Sequence, residues 1–163
     1  MKPRMHYAKV APGAAAALRG LEDYVQGRRL ERPLLELVRT RASQLNGCAY
    51  CVDMHTRDAR AEGETEQRLH AVAVWRETPF FSKRERAALA WTEAVTLVAD
   101  RTISDADYTA VREQFDEREL VDLTVAIVAI NGWNRMAVAF RPVPGSYRRR
   151  EPDTSGAGED GRP

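Results

Sequence analysis

The positions of the apolar side chains predict a chain made almost wholly of helices. From residue 12 onward apolar residues recur at intervals of three and four, and no stretch alternates apolar and polar residues for long enough to indicate a strand. The predicted helices cover residues 14–26, 33–45, 48–62, 65–78, 87–99, 108–115 and 117–140. The fold class expected from this pattern is all-α, as one bundle of helices.

Residues that end or begin helices stand between these segments. Helix-ending residues occur at Asn46, Gly47, Gly63 and Pro79. Capping-box patterns, in which a serine is followed three positions later by an acidic residue, occur at Ser82 with Glu85 and at Ser104 with Asp107. These local signals predict where the chain turns between helices.

The last predicted helix, 117–140, is apolar on nearly every face, which is typical of the central helix of a bundle. It is also long enough to cross a bilayer. It contains, however, four polar or charged residues that would be costly in lipid: Asp122, Asn131, Asn134 and Arg135. We therefore expect the buried helix of a soluble protein, with no membrane partner.

The length and charge of the chain narrow its organisation and partners. A chain of 163 residues fits one domain, which we expect to span residues 1–145, and residues 146–163 lack apolar anchors and predict a disordered tail. The 25 basic and 24 acidic residues are interspersed and give a net charge of +1, so nucleic acid is not an expected partner. The apolar run at 14–18 is too short for a secretion signal, and we expect a cytoplasmic protein.

The residues most suggestive of chemistry are the two cysteines, Cys48 and Cys51, and His55. Two cysteines this close in sequence cannot form the kind of disulfide that stabilises a small secreted fold. At a helix start, the unpaired amides and the helix dipole favour the thiolate over the thiol. His55 follows Cys51 by one helical turn, on the same face. A thiolate that attacks a peroxide becomes a sulfenic acid, which the other cysteine can convert to a disulfide. The motif thus predicts a redox dithiol that needs no cofactor.

Two other readings of a Cys-x-x-Cys motif are open to the same residues. Structural zinc needs four ligands, and this segment offers two thiols and one imidazole, while His6 and His70 show no clear ligand spacing to it. Thioredoxin-like chemistry is expected in a βαβ setting, and no strands are predicted. Both readings are less favoured than a helical redox dithiol.

A wider set of residues resembles a known family. Glu36, then eleven residues, Cys48, two residues, Cys51, three residues and His55 is a pattern similar to that of the alkylhydroperoxidase D-like (AhpD-like) branch of the carboxymuconolactone decarboxylase superfamily. Looser similarity covers residues 33–140. The resemblance implies an all-helical subunit that assembles into trimers or hexamers and reduces hydroperoxides as a thiol peroxidase.

The resemblance also implies a role for each residue of the pattern. Glu36 and His55 would form a proton relay through a water molecule, Cys51 would attack the peroxide, and Cys48 would resolve the sulfenic acid to a disulfide. An external dithiol protein, lipoyl-bearing or thioredoxin-like, would then reduce the disulfide. No cofactor or metal is implied.

Several residues have plainer interpretations. Taken alone, Glu36 is expected to be solvated on the polar side of its helix. A non-redox enzyme of the decarboxylase type, or an oligomeric binding module, would use the same fold without the cysteine pair. Asn131, Asn134 and Arg135 must find polar partners, and we expect them to hold the cysteine-bearing turn or a neighbouring subunit.

Overall fold

The chain folds into helices alone over the residues that are described, 1–26 and 29–149, in a computed structural model. The eight α-helices are α1 Tyr7–Val10, α2 Pro12–Gln26, α3 Arg32–Leu45, α4 Ala49–Ala61, α5 Glu66–Ala71, α6 Lys83–Thr96, α7 Asp105–Arg112 and α8 Glu117–Phe140, within that part of the chain. A 3₁₀-helix, Val72–Glu77, continues from α5. The all-α prediction is confirmed.

Helices α3 and α8 form the centre of the bundle. Helix α3 packs against α4, α6 and α8, while α2 and α6 also pack against α8. The largest cluster of buried apolar side chains joins α2, α3, α6, α7 and α8. Because α3 has neighbours on several sides, even its polar residues Glu36, Thr40 and Ser43 are buried.

Helix α8 is the one described helix that is long and apolar enough to cross a membrane by length and composition. In the structure one side of it packs into the bundle, with Leu123, Ile127 and Ile130 fully buried, while Val121, Val128 and Val138 on its other side are exposed. Asp122 and Asn134 are buried on the same helix, and their polar groups have protein partners. The arrangement is that of the core helix of a soluble-type fold.

The helix boundaries follow the local signals in the sequence. Ser82 with Glu85 and Ser104 with Asp107 form capping boxes at the starts of α6 and α7, as predicted. A third capping box, Asp116 with Glu119, begins α8. Each box satisfies two backbone N–H groups that a helix start would leave without partners.

The predicted helix 65–78 differs from the structure. It divides into α5 and the 3₁₀-helix, and Val74 has a non-helical backbone with φ −125°. The β-branched valines at 72 and 74 weaken the α-helical preference. The break allows Trp75 to bury its ring and donate its indole N–H to Glu93 Oε1 over 2.8 Å.

Both ends of the described chain pack against the bundle. At the start, the Arg4 amide donates to the Phe140 carbonyl over 2.9 Å, and the Tyr7 ring lies 5.5 Å from that of Phe140. After α8, the chain turns back over α4: Tyr147 donates to Asp58, and Arg149 pairs with Glu62.

The return of the chain over α4 bears on the predicted tail, 146–163. Residues 146–149, its first four, contact the helical domain because Tyr147 brings an aromatic ring and a hydroxyl donor to the acidic side of α4. The rest of the predicted tail, from residue 150 onward, lies outside the described residues.

Candidate active site

The turn between α3 and α4 presents the two cysteines at the start of α4. Gly47 has φ +64°, a left-handed conformation that glycine adopts without a steric penalty. Cys48 is the N-cap of α4, and its Sγ accepts a hydrogen bond from the Cys51 amide over 3.3 Å. The sulfur therefore occupies the position at which a helix start offers its unpaired amides.

Two asparagines of α8 fix this turn. The side-chain amide of Asn46 donates to Asn131 Oδ1 over 3.0 Å and to Asn134 Oδ1 over 2.9 Å. Asn134 in turn donates to the Ser43 hydroxyl over 3.0 Å, and its side chain is within hydrogen-bonding reach of both cysteine sulfurs. The expectation that polar residues of the last helix hold the cysteine-bearing turn is confirmed for Asn131 and Asn134.

The two thiols are free and buried, each 2 % exposed. A hydrogen bond from Cys51 is the main cause that lowers the pKa of Cys48 to about 7, and backbone amides and Asn134 assist against the cost of burial. The same hydrogen bond, together with burial, raises the pKa of Cys51. In the reduced protein the first negative charge therefore belongs to Cys48, with Cys51 as the thiol that donates to it.

His55 and Glu36 form the second part of the site, as the sequence pattern suggested. His55 Nδ1 lies 2.9 Å from Glu36 Oε2, and Arg39 donates to Glu36 Oε1 over 2.7 Å. Arg39 is itself paired with Glu22 of α2. Burial would raise the pKa of Glu36, but the hydrogen bond and charge of His55, with the guanidinium of Arg39, bring it below its ordinary value. Glu36 is thus an anion held inside the protein.

This burial corrects the plain interpretation of Glu36 as a solvated residue. Glu36 is 8 % exposed because α4 packs over that side of α3 and brings His55 onto its carboxylate. The apolar periodicity of α3 alone could not reveal this, since the covering helix belongs to a later segment of the chain. The spacing of Glu36 and Arg39 on one helical face is a signal that the sequence did contain.

Unlike Nδ1, the other ring nitrogen of His55, Nε2, is buried without a hydrogen-bond partner among the described residues. When Nδ1 carries the proton that Glu36 accepts, Nε2 has a free lone pair and is a base. A buried base without a partner is typical of a residue that exchanges protons with a reacting molecule.

Cys51 and His55 are neighbours on α4, but the cysteine pair and the Glu36–His55 pair are not joined directly. Among the described residues, no hydrogen bond links His55 to either sulfur. His55 is one helical turn from Cys51, as predicted from the spacing. A proton would therefore pass between the two pairs through a small molecule lying between them.

Asp58 lies beside Glu36 and His55, and the sequence pattern did not include it. One carboxylate oxygen each from Glu36 and Asp58 and one ring nitrogen of His55 lie within 4.8 Å of one another. A metal ion could be bound by atoms in this arrangement. Both carboxylates are already engaged, since Arg39 holds Glu36 and Tyr147 holds Asp58. Neither cysteine belongs to this group, so the zinc reading that joined the two thiols to His55 lacks its ligand set here.

Comparison with known proteins identifies the family of this chain. Residues 12–94, which include all four residues of the sequence pattern, match the carboxymuconolactone decarboxylase family. The uncharacterized protein YdfG of Bacillus subtilis is 42 % identical over 140 residues, covering 86 % of this chain and 95 % of YdfG.

Solved structures show the same fold. ATU0492 of Agrobacterium tumefaciens, a protein of unknown function with a suggested antioxidant-defence role as AhpD, is 45 % identical, with a TM-score of 0.84 over 92 % of this chain and 100 % of that one. An uncharacterized peroxidase-related protein of Ralstonia eutropha with an alkylhydroperoxidase AhpD core is 23 % identical, with a TM-score of 0.76 over 88 % and 77 % of the two chains, and shows the fold alone. The chain belongs to the carboxymuconolactone decarboxylase family, in its AhpD-like branch.

Proposed function

We propose that the protein is a thiol-dependent peroxidase that reduces hydroperoxides with Cys48 and Cys51. The observation that carries the proposal is the reduced pair itself: two free cysteines at the start of α4, one sulfur accepting the other's amide N–H over 3.3 Å, with the pKa of Cys48 lowered to about 7. A thiolate present at neutral pH is the nucleophile that attack on a peroxide requires.

The oxidative half of the cycle needs only the dithiol and one hydroperoxide. The thiolate attacks the terminal peroxide oxygen, the O–O bond breaks, and the sulfur becomes a sulfenic acid. The leaving alkoxide, or hydroxide when the substrate is hydrogen peroxide, takes up a proton to become an alcohol or water. The second thiol then displaces water from the sulfenic acid and forms the disulfide. The two cysteines together lose two electrons, and the peroxide gains them.

The charge distribution of the pair favours Cys48 as the attacking residue. The resemblance implies attack by Cys51, but Cys48 Sγ is the sulfur that accepts the Cys51 amide, and the pKa of Cys48 is lowered while that of Cys51 is raised. We therefore propose that Cys48 attacks and Cys51 resolves. Both cysteines remain necessary for the disulfide, so the exchange of roles leaves the overall reaction unchanged.

Glu36 and His55 supply and remove protons in this proposal. His55 Nε2 is buried and available, and the Nδ1 contact with Glu36 at 2.9 Å stabilises the positive imidazolium that forms when Nε2 takes up a proton. The pair takes a proton from the dithiol before attack and returns one to the departing alkoxide. General acid–base assistance of this kind is worth about 10²- to 10⁴-fold in rate.

The proposal also includes a reducing partner protein and contacts between subunits. The disulfide returns to the dithiol through an external dithiol protein, lipoyl-bearing or thioredoxin-like, in a reducing cytoplasm. Exposed valines at 121, 128 and 138 on α8 support contact between subunits in a homo-oligomer.

The test is single-turnover consumption of hydrogen peroxide, and of an organic hydroperoxide, by prereduced protein with thiols counted before and after. Loss of two thiols per chain with stoichiometric peroxide removal is expected. Unchanged thiols and peroxide would contradict the proposal and favour a non-redox enzyme or binding module of the same fold.

The cysteine roles are separated by two matched variants, Cys51→Ser and Cys48→Ser, treated with peroxide and a sulfenic-acid trapping reagent. We expect Cys51→Ser to trap a sulfenic acid on Cys48 near pH 7, because the serine hydroxyl and the residue 51 amide still donate to that sulfur. A sulfenic acid that forms only in Cys48→Ser would reverse the assignment.

A further inference from the structure

Asp58 connects the buried Glu36–His55 pair to the surface of the protein. It follows His55 by three residues on α4, and its carboxylate lies with Glu36 and His55 in a group whose donor atoms are all within 4.8 Å. The exposed fraction of the side chain rises across the group, from 8 % for His55 and 10 % for Glu36 to 21 % for Asp58. Asp58 is thus the member of the group nearest to water.

The chain after α8 holds Asp58 in place. The Tyr147 hydroxyl donates to the Asp58 carboxylate, with its oxygen 3.0 and 3.1 Å from the two carboxylate oxygens, and Arg149 Nε lies 4.0 Å from Oδ1. Arg149 is also paired with Glu62, one turn further along α4. Tyr147 and Asp58 are 89 positions apart in the chain, so this contact is a product of the tertiary fold.

We propose that Asp58 is the positioning and proton-exchange residue through which the Glu36–His55 relay communicates with solvent, with Tyr147 fixing its orientation. This role rests on the proposed function. A proton that His55 takes from the dithiol passes to Glu36, then to Asp58, and leaves to water or buffer; the proton needed by the departing alkoxide follows the reverse path. No electrons move in these steps.

The groups that face Asp58 agree with such a role. Glu36 and His55 face it from the interior, and Tyr147 and Arg149 face it from the segment after α8. Burial and the negative charge of Glu36 raise the pKa of Asp58, while the Tyr147 hydrogen bond, His55 and Arg149 oppose the rise. A carboxylate whose pKa is raised toward neutral pH accepts and releases protons more readily under ordinary conditions.

The chain offers a matched control in Asp53. It is on the same helix, its side chain is 25 % exposed, and it too binds the segment after α8, by accepting the Gly145 amide over 2.8 Å. It does not belong to the group formed by Glu36, His55 and Asp58. Asp53→Asn therefore weakens the attachment of the same segment to the same helix without touching the relay.

The experiment measures the rate of disulfide formation with hydrogen peroxide between pH 5 and 9 in parent, Asp58→Asn, Tyr147→Phe and Asp53→Asn proteins, at low and high imidazole buffer. Circular dichroism melts confirm that each is folded. We expect Asp58→Asn to be slower by roughly tenfold, less than the loss of a direct acid–base group, and to be partly restored by high buffer, which a purely structural defect would not be.

Tyr147→Phe keeps the proposal testable if Asp58→Asn does not fold. It removes a hydrogen bond that lowers the pKa of Asp58, so that pKa rises and the acidic limb of the rate profile moves to higher pH. An unchanged profile in both variants, or an equal change in Asp53→Asn, would overturn the role of Asp58 while the parent still formed its disulfide. A parent that forms no disulfide with peroxide would overturn the proposed function, and the role of Asp58 with it.

Discussion

Two buried glutamates of this protein, Glu36 and Glu93, are alike in exposure and differ in what surrounds them. They are 8 % and 7 % exposed, and in each case burial raises the carboxyl pKa while hydrogen bonds and charges bring it below its ordinary value. Glu93 accepts from the Trp75 indole, from Arg41 and from Arg76. These three donors keep their protons at neutral pH, and they come from two segments of the fold: Arg41 from α3, and Trp75 and Arg76 from the 3₁₀-helix.

Glu36 has two side-chain partners. Arg39 is a donor that stays protonated, whereas His55 is an imidazole, the kind of group that can gain or lose a proton. The imidazole has a further nitrogen, buried and without a partner among the described residues. The hydrogen bonds around Glu93, the Glu93 network, join it to three donors. Those around Glu36, the Glu36 network, end at His55 Nε2, which has no partner among the described residues. We infer from this difference that a buried carboxylate points to chemistry when its partner can gain or lose a proton, and to stability when its partners cannot.

The largest effect that would test this comparison is on stability. Glu93→Gln removes the charge to which two arginines and an indole are directed, and we expect a loss of about 3 kcal/mol in the free energy of unfolding, measured by urea denaturation. The rate of thiol oxidation of the folded variant should be unchanged. A slower reaction with unaltered stability would mean that the two networks had been assigned the wrong way round.

The matching change in the other network should act on the reaction. Glu36→Gln keeps the volume and one acceptor but cannot stabilise a positive imidazolium, and we expect thiol oxidation by peroxide to slow by about 10²-fold, or roughly 2.7 kcal/mol in the barrier. Stopped-flow kinetics at pH 7 would measure it, with Glu93→Gln as the control. Parent-like rates would remove Glu36 from the mechanism.

A smaller effect should follow from removing one donor of the Glu93 network. Trp75→Phe retains most of the buried ring and deletes the indole N–H that lies 2.8 Å from Glu93 Oε1. Hydrogen bonds to charged groups contribute about 1.5–3 kcal/mol, and because Arg41 still donates to the same oxygen we expect a loss of about 2 kcal/mol. Chemical denaturation would measure the loss, and no loss would show that Arg41 and Arg76 suffice.

The smallest expected effect is the dependence of the Glu93→Gln stability difference on pH. A carboxylate with a lowered folded-state pKa contributes stability above its unfolded value, near 4.5, and loses that contribution as the pH falls through its folded value. The stability difference between parent and Glu93→Gln should therefore be full at pH 6 and should narrow below about pH 4.5. Denaturation at several pH values would test this, and a constant difference would show that the charge of Glu93 is not the cause.

The sequence predicted those features that depend on neighbouring residues. The capping boxes at Ser82 and Ser104 and the turn at Gly47 are local, so these signals could be found in the sequence. The helices predicted at 87–99 and 108–115 nevertheless begin earlier, at Lys83 and Asp105, directly after their capping serines. The placement of Cys48 at a helix start follows from the turn at Gly47. The relation of Cys51 to His55 is also local, because both are on one helix.

Other features depend on segments that are distant in sequence. The burial of Glu36 arises from α4, and the contact of Tyr147 with Asp58 comes from residues far apart in the chain. Asp58 was detectable in principle, since it follows His55 by three residues on one face. The opposite pKa shifts of Cys48 and Cys51 could not be predicted, because they depend on the hydrogen bonds between the two residues, on burial and on Asn134 of a distant helix.

The short helix α1 has a consequence for how fast the sulfurs react. Tyr7 is half-buried, and burial raises its pKa first, followed by the charges of Tyr50 and of the two cysteines; α1 has no buried residue of its own. Detachment of such a segment costs far less than unfolding of the bundle. Thiol reactivity should then report the local stability of residues 1–11, and should rise with mild warming well before the melting of α8.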